Sequence, residues 1–307
     1  MLIVGPTASG KTEVALRLAE AMGGEIISAD SMQVYRGMDI GTAKPTPVQR
    51  ARVRHHLLDV VDPDEDFDAS RYERAARSVI AELHAQGTPV FVVGGTGLYI
   101  KALLGGLFAG PGAVAEWRAA YRERLTREGC PALYALLAVR DPQAAAGIRP
   151  GDAVRIMRAL EVLDATGESI VNLRERHRFS VQRYETLKLG LRLERGELRQ
   201  RIAVRTEAMF SQGLLGEVER LLAEGYGDDL KPMRAIGYRH ALGWLRGRYG
   251  SLAEAVAAMS VDTCRYAKRQ RTWFKTDPEI AWFDPSDMAE MQRRIAAFHR
   301  GQYGQST

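Results

Sequence analysis

Residues 5–12 read Gly5-Pro-Thr-Ala-Ser-Gly-Lys-Thr12 and follow the short apolar run Met1–Val4. They fit the pattern G-x-x-x-x-G-K-[ST], in which the glycines let successive backbone N–H groups converge on a phosphate. The lysine adds a positive charge, and the last hydroxyl can bind a magnesium ion. Apolar residues at helical spacing come next, so a strand, a loop and a helix are expected in that order. The predicted diphosphate- or triphosphate-binding residues are Gly5, Pro6, Thr7, Ala8, Ser9, Gly10, Lys11 and Thr12, with Thr12 as the metal-binding hydroxyl.

An acidic residue stands just beyond the second predicted strand. Glu25–Ser28 forms that strand, and Asp30 follows it. Because the carboxyl ends of neighbouring strands in an open α/β sheet face the same crevice, Asp30 should lie near the phosphates. A general base that takes a proton from an acceptor substrate belongs at that place. The alternative is that Asp30 caps the turn at Ser31, and at this point both interpretations stay open.

The strand at 89–93 ends without an acid. It continues into Gly94-Gly-Thr-Gly97, whereas hydrolases with this loop usually carry an acid there that supports magnesium. The helix before this strand is predicted from Arg71 to Gly87, with Ser70 and Glu73 as a capping box. The loop alone therefore does not decide which phosphate chemistry occurs.

A long helical block interrupts the strands. Residues from 114 to about 184 show no strand signal and many Ala, Leu and Arg, and a strand resumes at 188–193. An all-helical block between strands of one sheet indicates an inserted domain. We therefore predict an α/β protein with a phosphate-loop, three-layer core around a parallel sheet, plus an all-helical insertion. The predicted bounds are 1–112 with 186–307 for the core and 113–185 for the insertion.

The composition is that of an ordinary globular protein, with 46% hydrophobic and 26% charged residues among 307. The net charge of +5 permits an acidic partner without requiring one. Cys130 and Cys264 are too far apart for a CxxC pair, which excludes a disulfide scaffold and a cysteine-based zinc finger.

His55 and His56 are adjacent on a predicted strand and point to opposite sides, so a structural role is favoured over a metal pair. No apolar run approaches the ~20 residues of a membrane span, and we expect a monomeric cytoplasmic protein without membrane contact.

Further motifs point to one family. They are Asp30-Ser-Met-Gln-Val-Tyr-Arg-Gly37, Asp39-Ile-Gly-Thr-Ala-Lys-Pro45, His55-His-Leu-Leu-Asp59, Gly94-Gly-Thr-Gly-Leu-Tyr99, Met233-Arg-Ala-Ile-Gly-Tyr-Arg239 and Lys268-Arg-Gln-Arg-Thr-Trp-Phe274. In this order, and together with the phosphate loop, they resemble the bacterial tRNA dimethylallyltransferases, also called tRNA isopentenyltransferases. The resemblance extends from Gly5 to about Phe283.

The resemblance implies a prenyl transfer onto RNA. A dimethylallyl group would move from dimethylallyl diphosphate to the exocyclic N6 of the adenosine 3′ to the anticodon, in tRNAs that read codons beginning with U. Lys11, the loop amides and Mg²⁺ on Thr12 would stabilise the leaving diphosphate. Asp30 matches the family's base and Arg234 an arginine near the diphosphate. Thr96 matches a residue at the reacting centre, although its position also suits a helix N-cap.

The same resemblance implies the surface that binds the tRNA anticodon stem-loop. The reacting base leaves its stack and enters a channel in the protein. Basic and aromatic residues interleave from Arg265 to Lys275, which suits contact with phosphates and bases. Val154 stands where the family usually has Gln. The implied tRNA-binding residues are Asp30, Ser31, Met32, Gln33, Thr96, Arg118, Val154, Arg155, Arg158, Arg234, Gly237, Tyr238, Arg239, Lys268, Arg269, Gln270, Arg271, Trp273 and Lys275.

Other functions stay open from the residues alone. A small-molecule phosphotransferase of the shikimate-kinase type also places an acid after the second strand, but it does not explain the helical block or the basic segment near the C-terminus. An adenylate isopentenyltransferase shares the donor and uses a nucleotide as acceptor. A non-catalytic RNA-binding module would have no reason to keep Lys11, Thr12 and Asp30 together.

Overall fold

The computed structural model of the chain describes residues 1–107, 115–177 and 183–303. Its strands form one parallel sheet in the order β3-β2-β4-β1-β5-β6. The strands are β1 (Leu2–Val4), β2 (Glu25–Ser28), β3 (His55–His56), β4 (Val90–Gly94), β5 (Lys188–Leu191) and β6 (Ala281–Phe283). The prediction of an α/β protein with a parallel sheet is confirmed.

Helices and loops connect the strands. They are α1 (Lys11–Met22), α2 (Pro47–Arg52), α3 (Ala69–Ala85), α4 (Gly97–Gly105), α5 (Ala115–Arg140), α6 (Pro142–Ala146), α7 (Ala153–Thr166), α8 (Ile170–His177), α9 (Arg195–Ser211), α10 (Leu214–Ala223), α11 (Ile236–Leu245), α12 (Leu252–Phe274) and α13 (Met288–Tyr303). A 3₁₀ turn at Pro232–Arg234 precedes α11. Helix α5 is interrupted at Gly129, whose φ of 79° lies outside the helical range.

The core explains why the first strand lies in the middle of the sheet. Leu2, Ile3 and Val4 are buried, and β1 pairs with β4 on one side and with β5 on the other. One core cluster joins Ile3 with Leu16 of α1 and Met291 of α13. An apolar strand buried on both faces is typical of a parallel sheet that helices cover.

The capping prediction for α3 is wrong. The N-cap is Asp68, whose carboxylate accepts the backbone N–H groups of Ser70 and Arg71, both at 2.9 Å. The helix therefore begins at Ala69, two residues earlier than predicted. Asp is among the best N-cap residues. Here the Asp68 carboxylate caps the helix in place of the predicted Ser70–Glu73 pair.

The chain divides into two compact units, Met1–Leu103 with Tyr184–Thr307, and Leu104–Arg183. The second unit is helical in its described part, with a core that includes Leu133, Ile156 and Leu160. The predicted boundary at 112/113 lies outside the described residues. Across 1–107, 115–177 and 183–303, we find no helix with the length and apolar composition needed to cross a bilayer.

Strands β1, β2 and β4 are neighbours in the sheet, and each ends at the same edge. The phosphate loop leaves β1, Asp30 lies two residues beyond β2, and Thr96 lies two residues beyond β4. The sheet therefore brings three separately predicted motifs to one place.

Candidate active site

The phosphate loop leaves the start of α1 open to a ligand. Gly10 is the N-cap, with a φ of 86° that favours glycine, and no side chain caps the first amides of the helix. The Lys11 ammonium donates to the backbone oxygen of Pro6 at 2.7 Å and so folds over the loop. Free amides at a helix N-terminus, next to a lysine, form an anion-binding site.

Gln270 of α12 ties this loop to the turn after β4. Its Oε1 accepts the Thr7 N–H at 2.8 Å, and its Nε2 donates to the backbone oxygen of Gly95 at 3.0 Å. A Cβ at Gly95 would lie 2.1 Å from Nε2, so a side chain there would displace the Gln270 amide. Gln270 is buried and uses both ends of its amide inside the protein. The side chain therefore supports the loop at the cavity wall, and RNA contact by Gln270 stays a prediction.

Asp30 and the Thr96 turn are joined through Ser31. The Ser31 N–H donates to Oγ1 of Thr96 at 3.0 Å, and Asp30 Oδ1 accepts the Met32 N–H at 2.9 Å. Asp30 thus orders its own turn, as the alternative interpretation held, and it also remains partly exposed at the cavity described below. The backbone oxygen of Thr96 accepts the first amides of α4, while its hydroxyl oxygen accepts the Ser31 N–H.

Arg205 belongs to none of the predicted motifs, yet it lines the same cavity. It lies on α9 four residues after Arg201, so both side chains share one helix face. Burial lowers the pKa of Lys11 to about 7, nearby Arg205 lowers it as well, and Asp30 raises it. Burial also lowers the pKa of Arg205, and Asp30 opposes that shift. The charges of Lys11, Arg205 and Asp30 therefore interact. The Arg201–Arg205 spacing was the available signal.

These groups line one cavity of about 1050 Å³ within the first unit. Its polar end holds the phosphate loop, Arg201 and Arg205. Apolar side chains lie along α9 and α12, among them Ile202, Met209 and Met259. A cavity with an anion site, a carboxylate and an apolar wall can hold a substrate that combines a diphosphate with a small hydrocarbon group.

The loop after Asp30 is held from within. Gln33 Nε2 donates to the backbone oxygens of Thr42 and Ala43 at 3.3 and 3.2 Å, and its Oε1 accepts from Ser28 Oγ at 3.1 Å. The amide of Gln33 therefore connects β2 to the loop, and tRNA contact by Gln33 stays a prediction. His56 contacts Glu25 at 2.5 Å, which agrees with the structural role predicted for it.

The donors present suit a magnesium ion only together with a substrate. Among residues 1–107, 115–177 and 183–303, no group of three or more His, Cys, Asp or Glu side chains could hold a metal ion. The Thr12 hydroxyl lines the cavity beside the loop amides. Mg²⁺ commonly keeps several waters and takes its remaining ligands from substrate phosphates, which fits this sparse donor set.

Comparisons with known proteins agree on one family. The family model for IPP transferase matches residues 33–277. The tRNA dimethylallyltransferase 2 of Syntrophus aciditrophicus is 55% identical over 302 residues, which cover 98% of this chain and 97% of that protein. The chain belongs to the IPP transferase family.

Solved structures of this family share the fold. The full-length tRNA isopentenylpyrophosphate transferase of Bacillus halodurans is 37% identical, with a TM-score of 0.73, and the match covers 99% of this chain and 97% of that one. A eukaryotic dimethylallyltransferase acting on tRNA is 28% identical, with a TM-score of 0.76, and the match covers 96% of this chain and 77% of that one.

The IPP transferase motif at 233–239 divides between surface and interior. Arg234 is exposed at the cavity and donates to the backbone oxygen of Asp228 at 3.4 Å. Arg239 pairs with Asp262. Tyr238 has no exposed surface, and its hydroxyl donates to Glu217 at 2.6 Å. Gly237 is also buried. Gly237 lines the cavity while Tyr238 packs behind it, and RNA contact by these two residues stays a prediction.

The basic segment of this IPP transferase presents charge along α12 and just beyond it. Lys268, Arg269, Trp273 and Lys275 are exposed, Arg271 partly so, while Ala267, Gln270 and Phe274 face the interior. The Arg269 guanidinium lies 5.6 Å from the ring centre of Tyr266. One face of the helix thus supports the site, and the other offers cations and an indole to a partner.

The second unit carries the other arginines predicted to bind tRNA. Arg118 and Arg158 both contact the buried carboxylate of Glu161, at 3.0 and 3.4 Å. Arg155 is exposed and pairs with Asp152 at 3.4 Å. Val154, one position earlier, is 73% exposed. These arginines lie near one another on the helical unit, and RNA contact by them stays a prediction.

Proposed function

We propose that this IPP transferase moves a dimethylallyl group from dimethylallyl diphosphate to N6 of the adenosine 3′ to the anticodon, in tRNAs that read codons beginning with U. The observation that carries the proposal is the meeting of the phosphate loop, Asp30 and Thr96 at one edge of the sheet. The family and the names of its members agree with this chemistry.

The donor half of the cavity suits the diphosphate. The bond between the allylic carbon and the bridging oxygen breaks, and its electron pair leaves with the diphosphate. The amides at the start of α1, Lys11 and Arg205 face that growing negative charge. Preorganised donors of this kind stabilise charge that develops in the transition state. Mg²⁺, with Thr12 as its protein ligand, would supply further positive charge to the same oxygens.

The acceptor half suits an adenine amine. Its N6 attacks the allylic carbon and forms the new C–N bond, and the proton it loses passes to the Asp30 carboxylate. A carboxylate in hydrogen-bonding reach of a weak nucleophile acts as a general base in this way. The Thr96 hydroxyl lies beside Asp30 and can hydrogen-bond the amine or the diphosphate.

RNA as the acceptor is supported by exposed charge beside the cavity, with Arg269 at the cavity itself. Lys268, Arg269 and Lys275 offer cations on and just after α12, with Trp273 among them. Phosphate contacts supply most of the affinity for a nucleic acid, and aromatic rings stack on its bases. We also propose that the enzyme is a monomer.

Transfer of labelled dimethylallyl groups tests the proposal. Purified protein, magnesium and radiolabelled dimethylallyl diphosphate are incubated with an unmodified anticodon stem-loop, AMP or ATP. We expect label in the stem-loop alone. Label in AMP or ATP would instead make the chain an adenylate isopentenyltransferase. No transfer to any acceptor would contradict the proposal and favour a small-molecule phosphotransferase.

A further inference from the structure

Glu217 on α10 is a buried carboxylate surrounded by donors. Its Oε2 accepts the N–H groups of Asp39 and Ile40 at 2.9 and 2.8 Å. Its Oε1 accepts the Gly41 N–H at 3.0 Å and the Tyr238 hydroxyl at 2.6 Å. The residue is 7% exposed. Four hydrogen bonds to one buried carboxylate, three of them from successive backbone amides, fix the position of that backbone.

The backbone that Glu217 holds is part of the cavity wall. Residues 39–45 line the same cavity as Asp30. The oxygens of Thr42 and Ala43 receive the amide of Gln33, which is bonded in turn to Ser28 at the end of β2. A continuous set of contacts thus leads from Glu217, through this wall, to the strand that Asp30 follows.

The wall packs closely against α11. A Cβ at Gly41 would lie 2.6 Å from the ring of Tyr238, and one at Gly237 would lie 2.9 Å from the backbone oxygen of Gly41. One turn after Glu217, Arg220 donates to the backbone oxygen of Gly37 at 2.8 Å. Helix α10 therefore holds the loop at two points, and α11 contacts it directly.

We propose that Glu217 is a positioning residue for the acceptor adenine, an inference that rests on the function proposed above. By holding residues 39–41, it sets the wall against which the base lies and the turn that presents Asp30. The diphosphate site is built from other elements, namely the loop after β1, α1, Arg205 of α9 and Gln270 of α12. Loss of the Glu217 carboxylate should therefore weaken use of the RNA while leaving use of the diphosphate nearly unchanged.

Glu217→Gln is the direct test. The new amide has one oxygen for four donors, and its NH₂ group faces N–H groups that need an acceptor. We expect the KM for the stem-loop to rise about tenfold, the scale of one lost charge-assisted hydrogen bond, and the KM for dimethylallyl diphosphate to stay within about twofold. Glu219→Gln, an exposed change on the same helix, is the matched control and should leave both constants unchanged. Thermal melting checks that each variant is folded at the assay temperature.

Tyr238→Phe gives a second test that keeps the three backbone contacts. It removes only the hydroxyl, so we expect a smaller rise in the same KM and again none for the diphosphate donor. A folded Glu217→Gln enzyme with wild-type constants, or an equal rise in both KM values, would overturn the inference. If Glu217→Gln does not fold, the Tyr238→Phe constants decide in the same way. Failure of the wild-type protein to modify any stem-loop would instead overturn the proposed function.

Discussion

The backbone N–H of Ser31 donates to Oγ1 of Thr96 at 3.0 Å, which joins the turn after β2 to the turn after β4. A second bond runs in the opposite direction, from the Thr96 N–H to the backbone oxygen of Ala29 at 3.1 Å. Asp30 lies between the two residues that Thr96 contacts. The position of the proposed base is therefore set by Thr96 as well as by its own strand.

Thr96→Val removes the hydroxyl and keeps the shape of the side chain. We expect turnover to fall about tenfold or more, because the Ser31 N–H loses its acceptor and Asp30 its support. Thr96→Ser retains the hydroxyl and should stay close to wild type. Single-turnover transfer to a stem-loop measures both, and a Val variant with the wild-type rate would remove Thr96 from the reacting centre.

Asp30→Asn keeps the turn, because the amide oxygen can still accept the Met32 N–H. It removes the proton acceptor, so we expect the transfer rate to fall about 100-fold or more while stem-loop affinity stays nearly constant. Asp64→Asn, at an exposed carboxylate, serves as control. Normal turnover in the Asp30 variant would show that another group takes the proton.

Arg205→Met tests the cation that sequence analysis missed. We expect the KM for dimethylallyl diphosphate to rise at least about tenfold, because a charge-assisted bond to the diphosphate is lost. The comparison is Arg199→Met, an exposed position on the same helix. Equal constants for the two variants would mean that Arg205 acts only in folding.

Lys11 should couple donor binding to proton uptake. Its pKa of about 7 in the free protein leaves most of the side chain as the neutral amine near pH 8. A bound diphosphate favours the protonated form. We expect calorimetry in buffers of different ionisation enthalpy to show uptake at about pH 8 and none from Lys11 at about pH 6. Lys11→Met should abolish the uptake, and an unchanged value would assign it to another group.

The same shift predicts how stability depends on pH. An unfolded lysine titrates near 10.5, so between about pH 7 and 10.5 the unfolded chain holds a proton that the folded chain lacks. The contribution of Lys11 to the stability of the free protein therefore rises with pH in this window. Denaturant unfolding gives the free energy of unfolding of wild type and of Lys11→Met. The value for wild type minus the value for the variant should be larger at the upper end of the window than at about pH 7.

Charge reversal at Lys268 tests the RNA-facing side of α12. We expect Lys268→Glu to weaken stem-loop binding at low salt and to reduce the slope of log affinity against log salt by about 1. Arg300→Glu, an exposed cation on α13, should have little effect. Unchanged affinity for the Lys268 variant at low salt would contradict the assignment of this helix face.

The fold could largely be predicted from local patterns. The phosphate loop, the apolar strands and the acid after β2 are short-range signals, and strand ends in a parallel sheet necessarily meet at one edge. The start of α3 was misplaced because Asp68 and Ser70 are both good caps, and only the structure shows which one accepts the helix amides.

The site could be predicted only in part. Arg205 gave no motif, because its role depends on how α9 packs beside the loop, which no local pattern encodes. Gln270 and Tyr238 lie in motifs rich in basic residues, yet their side chains turn inward to Thr7 and Glu217. Residues within one motif can serve different partners when they lie on opposite faces of a helix.

The most direct test of the central claim is transfer to a stem-loop in which the adenosine 3′ to the anticodon is replaced by purine riboside. This change removes only the N6 amine, so binding should persist. We expect transfer from labelled dimethylallyl diphosphate to the unmodified stem-loop and none to the substituted one. Equal labelling of both RNAs would contradict the proposal that N6 of this adenosine is the acceptor.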